Sequence, residues 1–261
     1  MNETVIYKAD GGVAMITLNR PDKLNAMNAD LLQGAVDALE AAANDPGIRV
    51  VIFTGAGRGF CAGGDLSSPD TLGSGDTESR ISVLQTLQRS STLLREMPKV
   101  TIAAINGPCA GGGFSWAAAA DLRYAAESAK FTTAYLNAGL SGDFGGTWTL
   151  PRIVGSARAR ELYMLSDKFT AAEAEHYGFI SKMLPDDELM SHVDAIASRL
   201  LAAAPIALQQ IKQNLNDAEV VSFSQALDQE ADRHVRAGAS PDSAEARRAF
   251  MEKRPPKFSG A

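Results

Sequence analysis

Val50-Val51-Ile52-Phe53-Thr54, running into Gly59-Phe60-Cys61-Ala62-Gly63-Gly64-Asp65-Leu66, is one half of a pattern that the chain uses twice. The other half is Val100-Thr101-Ile102-Ala103-Ala104-Ile105, running into Asn106-Gly107-Pro108-Cys109-Ala110-Gly111-Gly112-Gly113-Phe114. Each apolar, β-branched run reads as a buried strand. Helix-compatible sequence follows each glycine cluster. Glycine lets backbone approach a ligand closely and take conformations closed to other residues. Two strand-turn-helix junctions can therefore each present a bare N–H. Two such donors aimed at one point would stabilise an oxyanion. Taken alone, the same clusters also suit tight, closely packed turns.

Working outward, Val5–Tyr7 and Val13–Leu18, separated by Asp10-Gly11-Gly12, predict a hairpin. Asn19 to Lys23 reads as a loop, and Asn28 as the N-cap of a helix through about Ala43. Ser67 to Thr77 is rich in Ser, Gly, Pro and Asp and reads as a mobile loop. One helix is predicted from Ser79 to Glu96, ending before Pro98. Leu122–Ala125 is strand-like, and Phe131 opens a short stretch leading to Gly139-Leu140-Ser141-Gly142-Asp143-Phe144-Gly145-Gly146 and a further helix. Beyond Ala157 the pattern is almost all helical, over 158–165, 171–177, 187–203, 205–217, 222–237 and 241–251. Strand-helix alternation followed by helices predicts an α/β core with a helical C-terminal region.

The 261 residues, 45% of them hydrophobic, suffice for one large core. A net charge of −6 without a basic stripe argues against nucleic acid as partner. The two cysteines are not at metal-ligand spacing, and no metal is expected. No apolar run approaches the roughly eighteen residues that span a bilayer. The start Met1-Asn2-Glu3-Thr4-Val5 carries no signal-peptide pattern, so the cytoplasm is the expected compartment. His176, His192 and His234 fall on predicted helices far from the clusters and read as packing or surface residues. Trp116 and Trp148 read as core or pocket wall. Asp121 and Arg123 read as a structural ion pair or loop anchor.

With both clusters in place, the chain resembles the crotonase superfamily, the enoyl-CoA hydratase/isomerase family, over nearly its full length. The resemblance rests on Leu18-Asn19-Arg20-Pro21-Asp22-Lys23-Leu24-Asn25-Ala26-Met27, the two clusters, Gly145-Gly146-Thr147-Trp148, Leu150-Pro151-Arg152-Ile153-Val154-Gly155, Ala204-Pro205 and the tail Phe250 to Phe258. It implies a spiral core of ββα units over 1–200 and a helical trimerisation region over 201–261. It implies trimers, often paired into hexamers, and a coenzyme A thioester as substrate, with no metal or redox cofactor. By the same resemblance the N–H groups of Gly64 and Gly112 form an oxyanion hole. Lys23, Leu24 and Ala26 match a segment lying along CoA, with Ala62, Asp65 and Leu66 beside it. Asp65 also reads as a turn residue. Lys253 and Phe258 match a tail that often contacts CoA, sometimes from a neighbouring subunit.

The chain departs from the family where the chemistry is decided. The two glutamates of the family's hydratases fall on Ser115 and Tyr135, and neither is a carboxylate. Hydration needs a water held and activated between acid-base groups. A carboxylate does occur at Asp143, in a loop where family isomerases carry Asp or Glu. One carboxylate suffices for a 1,3-proton shift, and apolar neighbours such as Leu140, Phe144 and Trp148 would raise its pKa. The resulting expectation is an enoyl-CoA isomerase with Asp143 as proton carrier. The alternatives are a hydratase, a hydrolase or dehalogenase on the same scaffold, and an inactive acyl-CoA-binding oligomer. Asp143 also suits an N-cap for the helix after Gly146. Ser115 shows no base partner in the sequence, so a nucleophilic serine is not expected.

Overall fold

The computed structural model describes residues 3–68 and 71–260. Pro69 and Asp70 of the predicted 67–77 loop lie outside them. The chain opens with strands β1 (Val5–Asp10) and β2 (Val13–Leu18), paired antiparallel with Val5 opposite Leu18. Helix α1 (Ala29–Asn44) begins at Asn28, whose side chain accepts the Leu31 N–H. Strand β3 (Val50–Gly55) follows. Helices α2 (Thr77–Leu87) and α3 (Arg89–Glu96) then lead to β4 (Val100–Ile105). The short β5 (Cys109–Ala110), helix α4 (Gly112–Ala119) and strands β6 (Leu122–Ala126) and β7 (Lys130–Thr132) come next. Helices α5 (Gly146–Val154) and α6 (Ser156–Leu165), strand β8 (Phe169–Thr170), helix α7 (Ala171–His176) and strand β9 (Lys182–Leu184) complete the sheets. Helices α8 (Leu189–Leu201), α9 (Pro205–Ala218), α10 (Phe223–Gly238) and α11 (Pro241–Glu252) close the chain.

The main sheet has the order β1-β2-β3-β4-β6-β9, parallel apart from the opening hairpin. Its two central strands are buried on both faces, as their unbroken apolar runs require. Alternate residues serve different layers. Val51, Phe53, Ala103 and Ile105 face a core with α1 and α4, while Val50, Ile52, Ile102 and Ala104 face α8 through Leu189, Val193 and Ala197. A smaller sheet, β5-β7-β8, stands beside it.

Three expectations are corrected. The predicted single helix over 79–96 is two, broken at Gln88. Ser90, buried, donates to the Leu87 carbonyl at 2.7 Å and accepts the Trp116 indole N–H at 2.9 Å. A hydroxyl competing for a local carbonyl disturbs the helical ladder. The region after Ala157 also contains β8 and β9, too short for period-two alternation to register. Finally, of the two readings of Asp121 and Arg123 the anchor holds and the mutual ion pair does not: Asp121 pairs with Lys212, at 2.8 Å, and accepts the Thr101 N–H. This docks α9 against the start of β4. Arg123 instead donates to the carbonyls of Ala120 and Phe179.

Candidate active site

The two glycine turns abut. Cys61 and Cys109 form a single parallel bridge, and Ala110 N–H donates to Cys61 O at 2.9 Å. A Cβ on Gly113 would lie 2.5 Å from Cys61 Cβ, and one on Gly63 would lie 3.0 Å from Ala110 O, so only bare backbone lets the turns meet this closely. Gly63 (φ +87°) and Gly111 (φ +52°) take conformations that side chains rarely adopt. Gly64 and Gly112 each follow one of these residues.

Met27 pairs with Gly64, donating to Gly63 O and accepting from Asp65 N–H on either side. That pairing leaves the Gly64 N–H out of the ladder, on an exposed residue. Gly112 is the first residue of α4, where the N–H has no intrahelical acceptor and the helix dipole adds positive charge. Both cysteines are buried free thiols. Burial pushes the Cys61 thiol up to about 12, so it stays protonated and is no nucleophile at neutral pH.

The loop before α1 is clasped onto the first turn. Leu24 O accepts the Ala62 N–H at 3.0 Å. Buried Asn25 donates to Ala56 O and Gly59 O, and accepts the Arg20 N–H. Arg20 also donates to Ala26 O and pairs with Asp65 at 2.9 Å. The Asp65 carboxyl lies below the usual range because Ser67 and Arg20 donate to it. Asp65 therefore acts as a clasp. Lys23 and Leu66 are exposed beside the turn, Leu24 is half-buried and Ala26 buried. Lys253 and Phe258 are not brought to the turns within one chain. The tail is held on α11, where Glu245 takes Arg254 and the Lys257 N–H, and where Asp242 takes the Ser259 and Gly260 N–H groups.

Asp143 stands against the second turn. The ring of Phe144, its chain neighbour, comes within 3.2 Å of where a Gly112 Cβ would sit, with Met27 Sδ at 2.7 Å on the same point. Phe144 also packs edge-on against Trp116 at 5.5 Å. The Asp143 side chain is not a helix cap: α5 begins after Gly145 with no side-chain cap. Instead, Asp143 Oδ1 accepts the Tyr135 hydroxyl at 2.5 Å, and Tyr135 OH lies 2.8 Å from Ser115 Oγ. With the phenol O–H directed at the carboxylate, the Ser115 hydroxyl donates to Tyr135. The two hydratase-glutamate positions thus form a hydroxyl chain ending on Asp143. Burial raises the Asp143 carboxyl above the usual carboxylate range, and the Tyr135 hydrogen bond pulls it part of the way back. The Tyr135 phenol is pushed far up, mainly by burial, and remains a donor.

Two non-glycine residues flank this contact in left-handed conformations, Ala134 (φ +60°) and Phe144 (φ +49°). Such backbone costs about 1–3 kcal/mol each and persists where the surroundings enforce it. Of the expected pKa-raising neighbours, Phe144 is buried, Leu140 is 59% exposed, and the Trp148 ring carries the Arg95 and Arg152 guanidinium groups at 4.5 and 3.8 Å. Trp116 is core. Sequence reasoning passed over Met27, Arg20, Asn25 and Tyr163. The first three lie inside the quoted Leu18–Met27 motif. Tyr163, on α6, stacks parallel to Tyr135 at 6.0 Å, and no spacing signal marks it.

The sequence profile described as Enoyl-CoA hydratase/isomerase matches residues 8–261. A 1,2-epoxyphenylacetyl-CoA isomerase of Escherichia coli is 37% identical over 261 residues, covering all of both chains. A crotonyl-CoA hydratase of Syntrophomonas wolfei is 34% identical over 257 residues, 98% of each chain. Among solved structures, an enoyl-CoA hydratase from a Polaromonas species superposes with a TM-score of 0.91 at 34% identity, covering 98% of this chain and 99% of the other.

Proposed function

The chain belongs to the enoyl-CoA hydratase/isomerase family, and from that premise we propose that it is an enoyl-CoA isomerase in which Asp143 carries the proton. The observation that supports this reading is the environment of Asp143: a single desolvated carboxylate, held by Tyr135 and packed against the Gly112 turn. In a 3-enoyl thioester, Asp143 removes a proton from the α carbon, and the electron pair moves onto the thioester oxygen. The Gly64 and Gly112 N–H groups receive that oxyanion. Asp143, now protonated, returns the proton to the γ carbon, and the double bond comes into conjugation. A raised carboxyl pKa suits a group that acts as base and then as acid. No electrons are exchanged with a cofactor, so the reading calls for none.

Ser115 and Tyr135 weigh against hydration, because each spends its hydroxyl on the chain to Asp143 and neither is a base near neutral pH. The test is incubation with 3-enoyl-CoA substrates of graded length and with aromatic acyl groups, following conjugation by ultraviolet absorbance. Absence of turnover across the series would overturn the reading, as would hydration of crotonyl-CoA at ordinary enzymatic rates.

The same proposal includes a trimer or dimer of trimers. Its support is the large apolar surface on the C-terminal helices of the single chain: Leu215, Val220, Phe223, Val235, Phe250 and Met251 are all at least 65% exposed. Soluble monomers rarely leave such patches open. A neighbour's tail would then bring Lys253 and Phe258 to the CoA. A monomeric mass by light scattering at micromolar concentration would exclude this arrangement.

A further inference from the structure

Tyr135 reaches Asp143 from a turn that leaves β7 at Thr132 and passes through Ala134, left-handed at φ +60°. Alanine avoids that conformation, so something in the surroundings has to impose it. Two threonine hydroxyls lie where they can. Thr132 Oγ1 accepts the Ala134 N–H at 3.1 Å and donates to Ser166 O at 3.0 Å. Thr133, 1% exposed, donates to Leu162 O at 2.9 Å, and Ser166 Oγ stands 3.1 Å from the same hydroxyl. Leu162 lies in the last turn of α6 and Ser166 is its C-cap. That turn of α6 also carries Tyr163, whose ring lies parallel to the Tyr135 ring at 6.0 Å. Within the turn itself, the Tyr135 N–H donates to Thr133 O at 2.8 Å, and the Gly111 N–H reaches Thr132 O at 3.3 Å. The segment that presents Tyr135 is thus fastened on one side to the end of α6 and on the other to the second glycine turn.

We propose that Thr132 and Thr133 are positioning residues: their hydroxyls pin the turn to α6 and so aim the Tyr135 phenol at Asp143. This rests on the reading of Asp143 as the proton carrier. A hydrogen bond weakens steeply as its angle and distance depart from the optimum, so the bond to Asp143 depends on where the Tyr135 backbone is held. Without the threonine hydroxyls, Ala134 is free to relax toward a right-handed or extended conformation. Tyr135 follows it in the chain and would swing off the carboxylate. The stacked Tyr163 ring fixes the plane of the Tyr135 ring but offers nothing that fixes its reach. The threonines touch no reacting atom; they act through Tyr135 alone.

The test reads the Asp143 carboxyl directly and needs no turnover. Its C=O stretch is titrated by infrared difference spectroscopy, with Asp143→Asn identifying the band. The other titratable groups facing Asp143 among the described residues are Tyr135, Tyr163 on α6 and Cys61 in the first turn; burial pushes all three up, Tyr163 and Cys61 to about 12, so they stay neutral throughout. Thr133→Val keeps the shape and removes the hydroxyl. The midpoint is expected to rise by about half a pH unit, roughly threefold in proton affinity, as part of a hydrogen bond to the charged form is lost. Thr132→Val, at a half-buried position, is expected to move it the same way and decides the matter if Thr133→Val does not fold. Thr133→Ser should restore the wild-type midpoint. In a Tyr135→Phe background neither valine should move the midpoint further. An unmoved midpoint in either folded valine variant overturns the proposal. So does a shift that recurs in full in Tyr135→Phe, or a serine variant that shifts as far as the valine. Conversion of 3-hexenoyl-CoA by the wild type is measured alongside. Failure there removes the isomerase reading and leaves the titration to judge the threonines separately.

Discussion

A Cβ added at Gly64 would meet nothing within 4 Å, whereas one added at Gly112 would strike Met27 Sδ at 2.7 Å, Met27 Cε at 3.0 Å and Phe144 at 3.2 Å. The turns read alike in the sequence, yet they are held differently. The first is fixed by its backbone and by a clasp from the Arg20–Met27 segment, through Asn25, Ala26 and Asp65. The second is fixed by packing, and the residue packed on it is Phe144, the neighbour of Asp143. The second turn and the carboxylate therefore form one mechanical unit, and the first turn is separable from it. Disturbance near Gly112 should reach the chemistry, while disturbance at Gly64 should stay local.

The largest effect tests the chemical half of that unit. Asp143→Asn keeps the shape and an oxygen for Tyr135 but removes the base. Isomerase turnover should fall by a factor of about 10² to 10⁴, the worth of a positioned general base. Stability should not fall. The folded-state pKa of Asp143 is raised, so this group favours folding at acid pH, and that contribution is lost as pH rises through the folded value. At neutral pH the buried carboxylate is a liability, and the variant should melt no lower than wild type. Full activity in Asp143→Asn would dissolve the link between turn and carboxylate.

Gly112→Ala tests the packing half. Met27 is 2% exposed and Phe144 3%, so the added methyl forces both to shift. Overpacking of this kind costs about 1–3 kcal/mol in stability. Displacing an oxyanion donor costs up to about 10² to 10³ in turnover. Steady-state kinetics and thermal melts of the one variant should both move. A change in melting alone would show that the turn packs but does not catalyse.

Much of this was legible in the sequence. The apolar runs gave the central strands, Asn28 gave its helix, and the order of motifs gave the family. The segment that clasps the first turn was legible as a motif, Leu18 to Met27, but the clasp roles of Arg20, Asn25 and Met27 within it were not. What escaped depended on contacts between distant segments. Ser115 has no base beside it, as read, but its hydroxyl partner Tyr135 escaped because β7 and the turn that follows it bring Tyr135 back. Asp143 also suited a cap because capping and charge placement share one residue type, and only the fold shows Gly145 as the N-cap. The break at Gln88 follows from Trp116, which needs Ser90 from another element. The strands β8 and β9 are too short to leave a period.

Tyr135→Phe sharpens the account of how the carboxylate is tuned. Tyr135 lowers the Asp143 pKa against the effect of burial. Without it, the acid limb of the kcat/KM profile should move to higher pH, and turnover at pH 7 should fall about tenfold through lost orientation. Ser115→Ala should move the limb the same way and less far, acting through Tyr135. An unmoved limb in Tyr135→Phe would mean that the hydroxyl chain packs without tuning.

The smallest effect belongs to the first turn. Gly64→Ala adds one methyl into open space at a position without positive φ, so neither clash nor backbone strain is introduced. Gly63, beside it, is the residue whose conformation demands glycine, at φ +87° and with Ala110 O at 3.0 Å from its absent Cβ. Alanine at 64 also restricts the unfolded chain more than glycine does, a gain of about 0.4–1 kcal/mol where the native conformation suits it. The N–H itself is retained and still stands outside the Met27 pairing. Turnover should therefore stay within about threefold of wild type, the change expected when no hydrogen bond is lost, with melting unchanged or slightly raised. Loss of activity comparable to that of Gly112→Ala, measured on the same 3-enoyl thioester, would show that both turns share one tightly fitted wall. The separation of the clasped turn from the packed one would then fail.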